Sequence, residues 1–395
     1  MQIEIQILDR LKQIEPLVKM HQKGEVFLVG GLVRDHFLKK ESKDIDLLVC
    51  GIPVSKIKKM LSPFGKVDEV GESFGVIKFT PKDWEFDEPI DIAIPRTETK
   101  VGDGHKGFEV KASSNIPLEI DLMRRDFTIN SMVISLDGTL IDPFGGLEDL
   151  KKKTIKMVNP EAFKDDPLRM MRAIQFASRF EFIIEESTWE AILANSETIK
   201  EISGERILIE LDKIFDKGDK NRGINLFMES TLHFSLFDKL PFNQTRTSFD
   251  TRADFFSSMA IDSVEFTNIL KGDVKTAKLI EAILTLGEAV MELTRTPTDD
   301  FEGDVRILIA KAFKISSDIL ISSRISTLVG LFTKPFIDEE LPITIKGLTI
   351  NGNELMELGF KGQELGNQLS SIFEAVLRLK ILNNKESILK FVKND

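Results

Sequence analysis

The stretch that most limits what this chain can become runs from Phe27 to Val49, FLVGGLVRDHFLKKESKDIDLLV. It joins a double-glycine turn to two carboxylates at alternate positions. In Asp44-Ile45-Asp46-Leu47-Leu48-Val49 the apolar run predicts a strand, and the two-residue period of a strand turns Asp44 and Asp46 to one face. Carboxylates aimed together repel unless a cation lies between them. Oxygen-only ligands suit Mg2+, which takes one or two carboxylates together with substrate phosphates, so the pattern points to chemistry on a nucleotide polyphosphate. The alternative, from these residues alone, is a strand entrance carrying two solvated acids. Upstream, Glu25 to Val29 reads as a strand and Gly30-Gly31 as a turn where bare backbone can approach a ligand. Leu32 to Leu38 reads as the following helix, with Arg34 in its first turns.

Strand, Gly-Gly, helix and a strand bearing Asp-x-Asp is the layout of the nucleotidyltransferase superfamily that includes DNA polymerase β. Gly30-Gly31-Leu32-Val33-Arg34-Asp35 followed by Asp44-Ile45-Asp46 resembles motif A of its class II branch, the tRNA nucleotidyltransferases (CCA-adding enzymes) and bacterial poly(A) polymerases. Further motifs of that branch follow in order. Ile90-Asp91-Ile92-Ala93-Ile94 is a strand with an acid at its entrance. The resemblance implies that Asp91 is a third carboxylate, completing with Asp44 and Asp46 a set able to hold two Mg2+ ions. Leu122 to Met132 contains Arg-Arg-Asp-Phe-Thr-Ile-Asn, the hallmark of motif B, which implies nucleotide contacts from Arg124, Arg125, Asp126 and Asn130. Asp142-Pro143-Phe144-Gly145-Gly146 resembles motif C, at the hinge between head and neck. The Lys151-Lys152-Lys153 run after it reads as a solvated face.

Asp165-Asp166-Pro167-Leu168-Arg169, continuing to Arg172, carries an early Asp-Pro helix start, and Asp166, Arg169 and Arg172 are spaced to share one face. A carboxylate accepts from an exocyclic amino group and an arginine donates to a ring acceptor. Cytosine and adenine offer that pair, whereas uracil and guanine do not. The segment resembles motif D, E-D-x-x-R, with Asp165 in place of the usual glutamate, and implies that Asp166 and Arg169 choose the base. Ser203-Gly204-Glu205-Arg206, running on to Glu210-Leu211, resembles motif E, which braces that helix.

The expected architecture is α+β, a small mixed-sheet head followed by an all-helical neck, body and tail, divided at 1–148, 149–212, 213–335 and 336–395. Residues 1–22 read as one helix, and Thr97–Asn115, polar and glycine-bearing, as a long loop containing His105. Thr245–Asp250 and Thr294–Asp300 read as loops. Glycines from Gly347 to Gly366 read as turns between short amphipathic helices, able to present amides to phosphates.

Composition narrows the function further. A net charge of −11 argues against nonspecific binding to nucleic acid and leaves RNA contact to local basic patches. One cysteine, Cys50, excludes an internal disulfide framework and suits a reducing cytoplasm. No stretch reaches the roughly 18 apolar residues of a membrane span. The four histidines form no His-Asp pair of the kind a phosphohydrolase domain uses. There is no tyrosine against 29 phenylalanines, which points to wholesale replacement or an unusual lineage, testable against the tyrosines of a natural relative. The resemblance implies a Mg2+-dependent enzyme adding CCA to the tRNA 3′ end from CTP and ATP, gripping the acceptor and T arm, with no membrane or DNA partner. A poly(A) polymerase, a CC-adding or A-adding enzyme, and a tRNA-binding relative without catalysis remain open as alternatives.

Overall fold

The chain opens with α1 (Gln6–Gln13) and α2 (Glu15–His21) rather than one helix. Ile14 between them is extended (φ −83°, ψ 95°), because the ring of Pro16 would meet the carbonyl four residues earlier if a single helix continued. The computed structural model describes residues 3, 6–41, 44–70, 76–82, 88–100, 108–238, 249–338 and 341–394. They divide into two units, 1–238 and 239–395.

In the first unit β1 (Glu25–Val29) and α3 (Gly31–Phe37) are followed by β2 (Ile45–Cys50), α4 (Val54–Leu61), β3 (Gly65–Val70), β4 (Val76–Pro81) and β5 (Ile90–Ala93). Next come β6 (Arg96–Lys100), β7 (Phe108–Ala112), α5 (Leu118–Met123), β8 (Val133–Ser135), β9 (Leu140–Ile141) and α6 (Gly146–Lys151). The main sheet has the order β3-β4-β5-β2-β1-β8-β9 and is mixed, since β2 and β5 run parallel while the other neighbours run antiparallel. One face buries Phe27, Val29, Leu48, Cys50 and Val133 against Leu122 of α5. Cys50 is thus core, its thiol pushed up to about 12 by burial.

Helices take over after the sheet. The short pair β10 (Thr154–Ile155) and β11 (Ile183–Ile184) brackets α7 (Ala162–Asp165) and α8 (Leu168–Phe180), and α9 (Glu186–Asn195), α10 (Gly204–Lys217), α11 (Lys220–Glu229) and α12 (Leu232–Phe237) complete the unit. α8 is buried nearly all round, packed by α10 and α11. Gly146 explains how α6 approaches the motif-B turn so closely, since a Cβ there would lie 2.2 Å from the Thr128 carbonyl oxygen.

The second unit contains α13 (Arg252–Ser258), α14 (Ser263–Asn268), α15 (Val274–Arg295), α16 (Phe301–Ile315), α17 (Ser323–Ile337), α18 (Gly352–Glu357), α19 (Gly362–Leu377) and α20 (Lys385–Asn394). Ile280, Ile283, Leu286 and Val290 form the buried stripe of α15. Capping boxes start α13, α14 and α18. Arg378 ties the end of α19 to Asp300 and Asp304 at the start of α16, at 2.7 and 2.6 Å.

Three further expectations need correction. The polar run Thr97–Asn115 is no continuous loop: β6 and β7 pair antiparallel from Arg96↔Ala112 to Lys100↔Phe108. A two-stranded ladder is held by backbone hydrogen bonds and needs no apolar composition to form. Residues 101–107, His105 among them, lie outside the described residues. Gly366 sits inside α19, because Gly359 (φ 105°) and Gly362 (φ 54°) already make the turn. Thr294 and Arg295 belong to α15, so the loop before α16 starts at Thr296. Residues 245–248 lie outside the described residues.

Candidate active site

A cavity of about 800 Å³ in the first unit is lined by every residue singled out above as a nucleotide or metal contact: Gly30, Gly31, Arg34, Asp44, Asp46, Asp91, Arg124, Arg125, Asp126, Asn130, Asp166, Arg169 and Arg172. Its floor is the end of the main sheet. Asp46 and Asp91 are register partners on the parallel strands β2 and β5. Lys78 on β4 is the antiparallel partner of Asp91, and Asp68 on β3 that of Lys78. Partners directly across a ladder share a face, so this row continues the face whose inner rows are apolar. Asp44 stands one residue before β2 and also faces the cavity.

Burial, then the charges of Asp91 and Asp44, push the Asp46 carboxyl above the usual carboxylate range. This is the electrostatic signature of a site that a divalent cation would relieve, and its oxygen-only donors fit a hard ion. Lys78 Nζ meanwhile donates to both oxygens of Asp91, at 2.7 and 2.9 Å. As the side chains stand, no group of three or more His, Cys, Asp or Glu among the described residues is arranged to hold a metal ion. Beside the acids, Gly30 adopts φ 72° and ψ −138°, open to glycine and strained for other residues. A Cβ at this turn would point at Asp46 Oδ2 and Arg125 Nη1, 3.5 and 3.8 Å away.

The arginines are held from beneath by one buried acid. Asp121, wholly buried, accepts from Arg124 at 2.7 and 2.9 Å, from Arg125 at 3.3 Å and from the Arg96 backbone N–H at 3.2 Å. Arg125 Nε is buried with no hydrogen-bond partner among the described residues. Arg34 is only 5% exposed. It donates to Asp35 and, through Nη1 at 2.8 Å, to Asn130, with its guanidinium over the rings of Phe176 and Phe180. Asn130 in turn donates to Asp126 at 2.9 Å, and Arg172 grips the other Asp126 oxygen at 2.6 and 2.8 Å. Burial pushes the Asp126 carboxyl up, but Arg172, Asn130 and the Phe127 N–H outweigh it and hold it below its ordinary range.

At the other wall, Asp166 lies just before α8. It accepts from the Leu168 N–H at 3.1 Å through one oxygen and from Arg206 of α10 at 3.1 Å through the other. Arg169 donates to the carbonyls of Ala162, Arg124 and Arg125, leaving its Nε–H outside these bonds. It therefore clamps the motif-B turn to α8 as well as facing the cavity. Arg206 was expected only as a brace, and Lys78 and Asp121 were not singled out at all. The alternation Val76-Ile77-Lys78-Phe79 carries a faint signal, a charged residue in an apolar strand, whereas nothing local sets Asp121 apart from other acids.

Residues 26–156 match the Poly A polymerase head domain, and residues 181–242 match the probable RNA and SrmB-binding site of polymerase A. A CCA-adding enzyme of Lactococcus lactis subsp. cremoris is 31% identical over 401 residues, 96% of each chain. The chain belongs to the CCA-adding enzyme family. A multifunctional CCA protein of Nitrosococcus oceani is 39% identical to this family member over 193 residues, 48% of this chain and 44% of that one. Among solved structures, a CCA-adding enzyme in its apo form II gives a TM-score of 0.70 at 23% identity, over 100% of this chain and 96% of that chain. The Bacillus stearothermophilus CCA-adding enzyme in complex with CTP gives 0.66 at 23%, over 99% and 98%. These two likenesses carry the fold. Membership makes the protein a class II nucleotidyltransferase of the polymerase β superfamily, a group whose chemistry depends on a divalent metal. Among the described residues no helix is long and apolar enough to cross a membrane.

Proposed function

We propose that this cavity carries out template-independent addition of C, C and A to the 3′ end of tRNA, using CTP and ATP and releasing pyrophosphate. The observation that carries the reading is the meeting in one cavity of the acid row Asp44, Asp46 and Asp91 with the Asp166–Arg169 pair. Relatives named CCA-adding enzymes support it, among them a Thermotoga maritima structure complexed with tRNA.

Asp44 and Asp46, with Asp91, would hold Mg2+. When bound, two such ions lower the pKa of the RNA 3′ hydroxyl and neutralise the charge building on the leaving pyrophosphate. The backbone at Gly30-Gly31 and the guanidinium groups of Arg124 and Arg125, both held by Asp121, receive the triphosphate. Asp126 and Asn130 take the ribose side, positioned by Arg172 and Arg34. Each Asp166 oxygen already accepts one protein donor and retains a lone pair for the amino group of cytosine or adenine. The free Nε–H of Arg169 donates to the neighbouring ring nitrogen. The base is chosen by side chains because no nucleic-acid template enters the scheme.

In this reading residues 1–148 are the catalytic head, 149–212 the base-selecting neck, 213–335 the body and 336–395 the tail that grips the tRNA acceptor and T arm. A single buried cysteine suits a reducing cytoplasm. The test uses tRNA transcripts ending at the discriminator base, at C and at CC, each given Mg2+ with CTP, ATP or both. With both nucleotides present, extension stopping at CCA from all three is the expected result. Long A tails would make the protein a poly(A) polymerase, and no Mg2+-dependent pyrophosphate release would leave a binding protein without catalysis.

A further inference from the structure

We propose that Lys78 is a placeholder cation: it neutralises Asp91 until a divalent ion and a nucleoside triphosphate arrive together, and so couples metal loading to nucleotide loading. The proposal rests on reading Asp44, Asp46 and Asp91 as the metal-holding carboxylates.

Lys78 and Asp91 are direct cross-strand partners on β4 and β5, and the ammonium takes both carboxylate oxygens, at 2.7 and 2.9 Å. A metal ion reaching Asp91 therefore meets an ammonium already bonded to both oxygens, and the two cations repel across one carboxylate unless Lys78 swings away. Asp46, the parallel-strand partner of Asp91, faces the same place, so a metal ion there would stand a few ångströms from a full positive charge. Displacement is structurally cheap. The two side chains are 38% and 35% exposed, and a four-carbon stem can swing its head into water without repacking the strand. Around Lys78 stand the acids Glu88 and Asp46 and its register partner Asp68, which is itself ion-paired with Lys66 at 2.6 Å. A triphosphate changes the balance because its oxygens complete the metal's coordination and also offer the released ammonium a new anionic partner. Without nucleotide the metal competes with Lys78 unaided.

The experiment measures Mn2+ binding to the full chain by the paramagnetic resonance of free Mn2+, first alone and then with a non-hydrolysable CTP analogue. Lys78→Met should bind Mn2+ about ten-fold more tightly than the parent without nucleotide, the size of a unit charge acting on a divalent ion nearby in a wet site. The tightening caused by the analogue should shrink by a similar factor, as linkage requires. Lys78→Gln, which keeps a polar donor, should shift the same way. A merely structural lysine would move affinity in the opposite direction when lost. Unchanged or weaker Mn2+ binding in both variants, with Asp46→Asn and Asp91→Asn still losing affinity, would overturn the placeholder and leave the metal site standing. Parent-like binding in Asp46→Asn and Asp91→Asn would overturn the metal site itself, and the placeholder with it.

Discussion

Arg172 reaches from the middle of α8 to Asp126, with Nη2 at 2.6 Å and Nε at 2.8 Å from the same carboxylate oxygen. The pair joins α8 to the motif-B turn. Asp126 is buried and its ordinary pKa is depressed, so its contribution to stability is present above that ordinary value and lost as pH falls through the lowered one. Asp126→Asn should cost about 3 kcal/mol at neutral pH, since it leaves Arg172 without its main counter-charge. Denaturant melts of parent and variant should converge in acid. A constant gap down to about pH 2 would show that charge is not what the pair contributes.

Asp46 behaves in the opposite sense. Its carboxyl is raised by burial and by Asp91 and Asp44, so the fold is best supported below the ordinary carboxylate pKa and loses support as pH rises through the raised one. Asp46→Asn should therefore raise the melting temperature of the metal-free protein at neutral pH while lowering turnover by more than about 100-fold. A melting temperature equal to or below that of the parent at pH 7 would contradict the repulsion.

Arg206 never needs to touch the nucleotide to affect its choice. It holds one oxygen of Asp166 at 3.1 Å, so Arg206→Ala frees the carboxylate to rotate. Discrimination of CTP and ATP against UTP and GTP should fall by about ten-fold, part of the roughly 1 to 3 kcal/mol that a paired base contact supplies. Single-turnover incorporation of each nucleotide measures it, and parent-like ratios would mean that Asp166 is held well enough by the Leu168 N–H alone.

Arg169 carries two tasks, and its removal should show both. Arg169→Ala should lose base discrimination and also about 2 kcal/mol of stability, because the carbonyls of Arg124 and Ala162 lose a charged donor. Mn2+ affinity should stay near that of the parent. Lost selectivity with an unchanged melting curve would show that the clamp to the motif-B turn contributes nothing.

Gly30 tests the turn itself. A Cβ there meets Asp46 Oδ2 only at 3.5 Å, an ordinary contact, so the cost of Gly30→Ala lies in its backbone conformation and should be about 1 to 3 kcal/mol. Equilibrium unfolding of the variant is the check, and a neutral result would mean that the turn relaxes without loss.

What the chain's linear order determined was local. The face shared by Asp44 and Asp46, the glycine turn, the helix after Pro167 and the motif residues themselves could be read directly, because strand alternation and helix starts are set within a few residues. Tertiary structure decided the rest. The parallel pairing that sets Asp91 beside Asp46, Lys78 on both oxygens of Asp91, Asp121 under two arginines and Arg206 reaching Asp166 from 40 positions away all depend on which strands and helices become neighbours. Composition likewise misread β6 and β7 as a loop, since a ladder's hydrogen bonds belong to the backbone and leave no mark on the side chains that build it. Contacts between distant segments carry no periodic signature. They exist only once the sheet and α8 have closed around a common cavity.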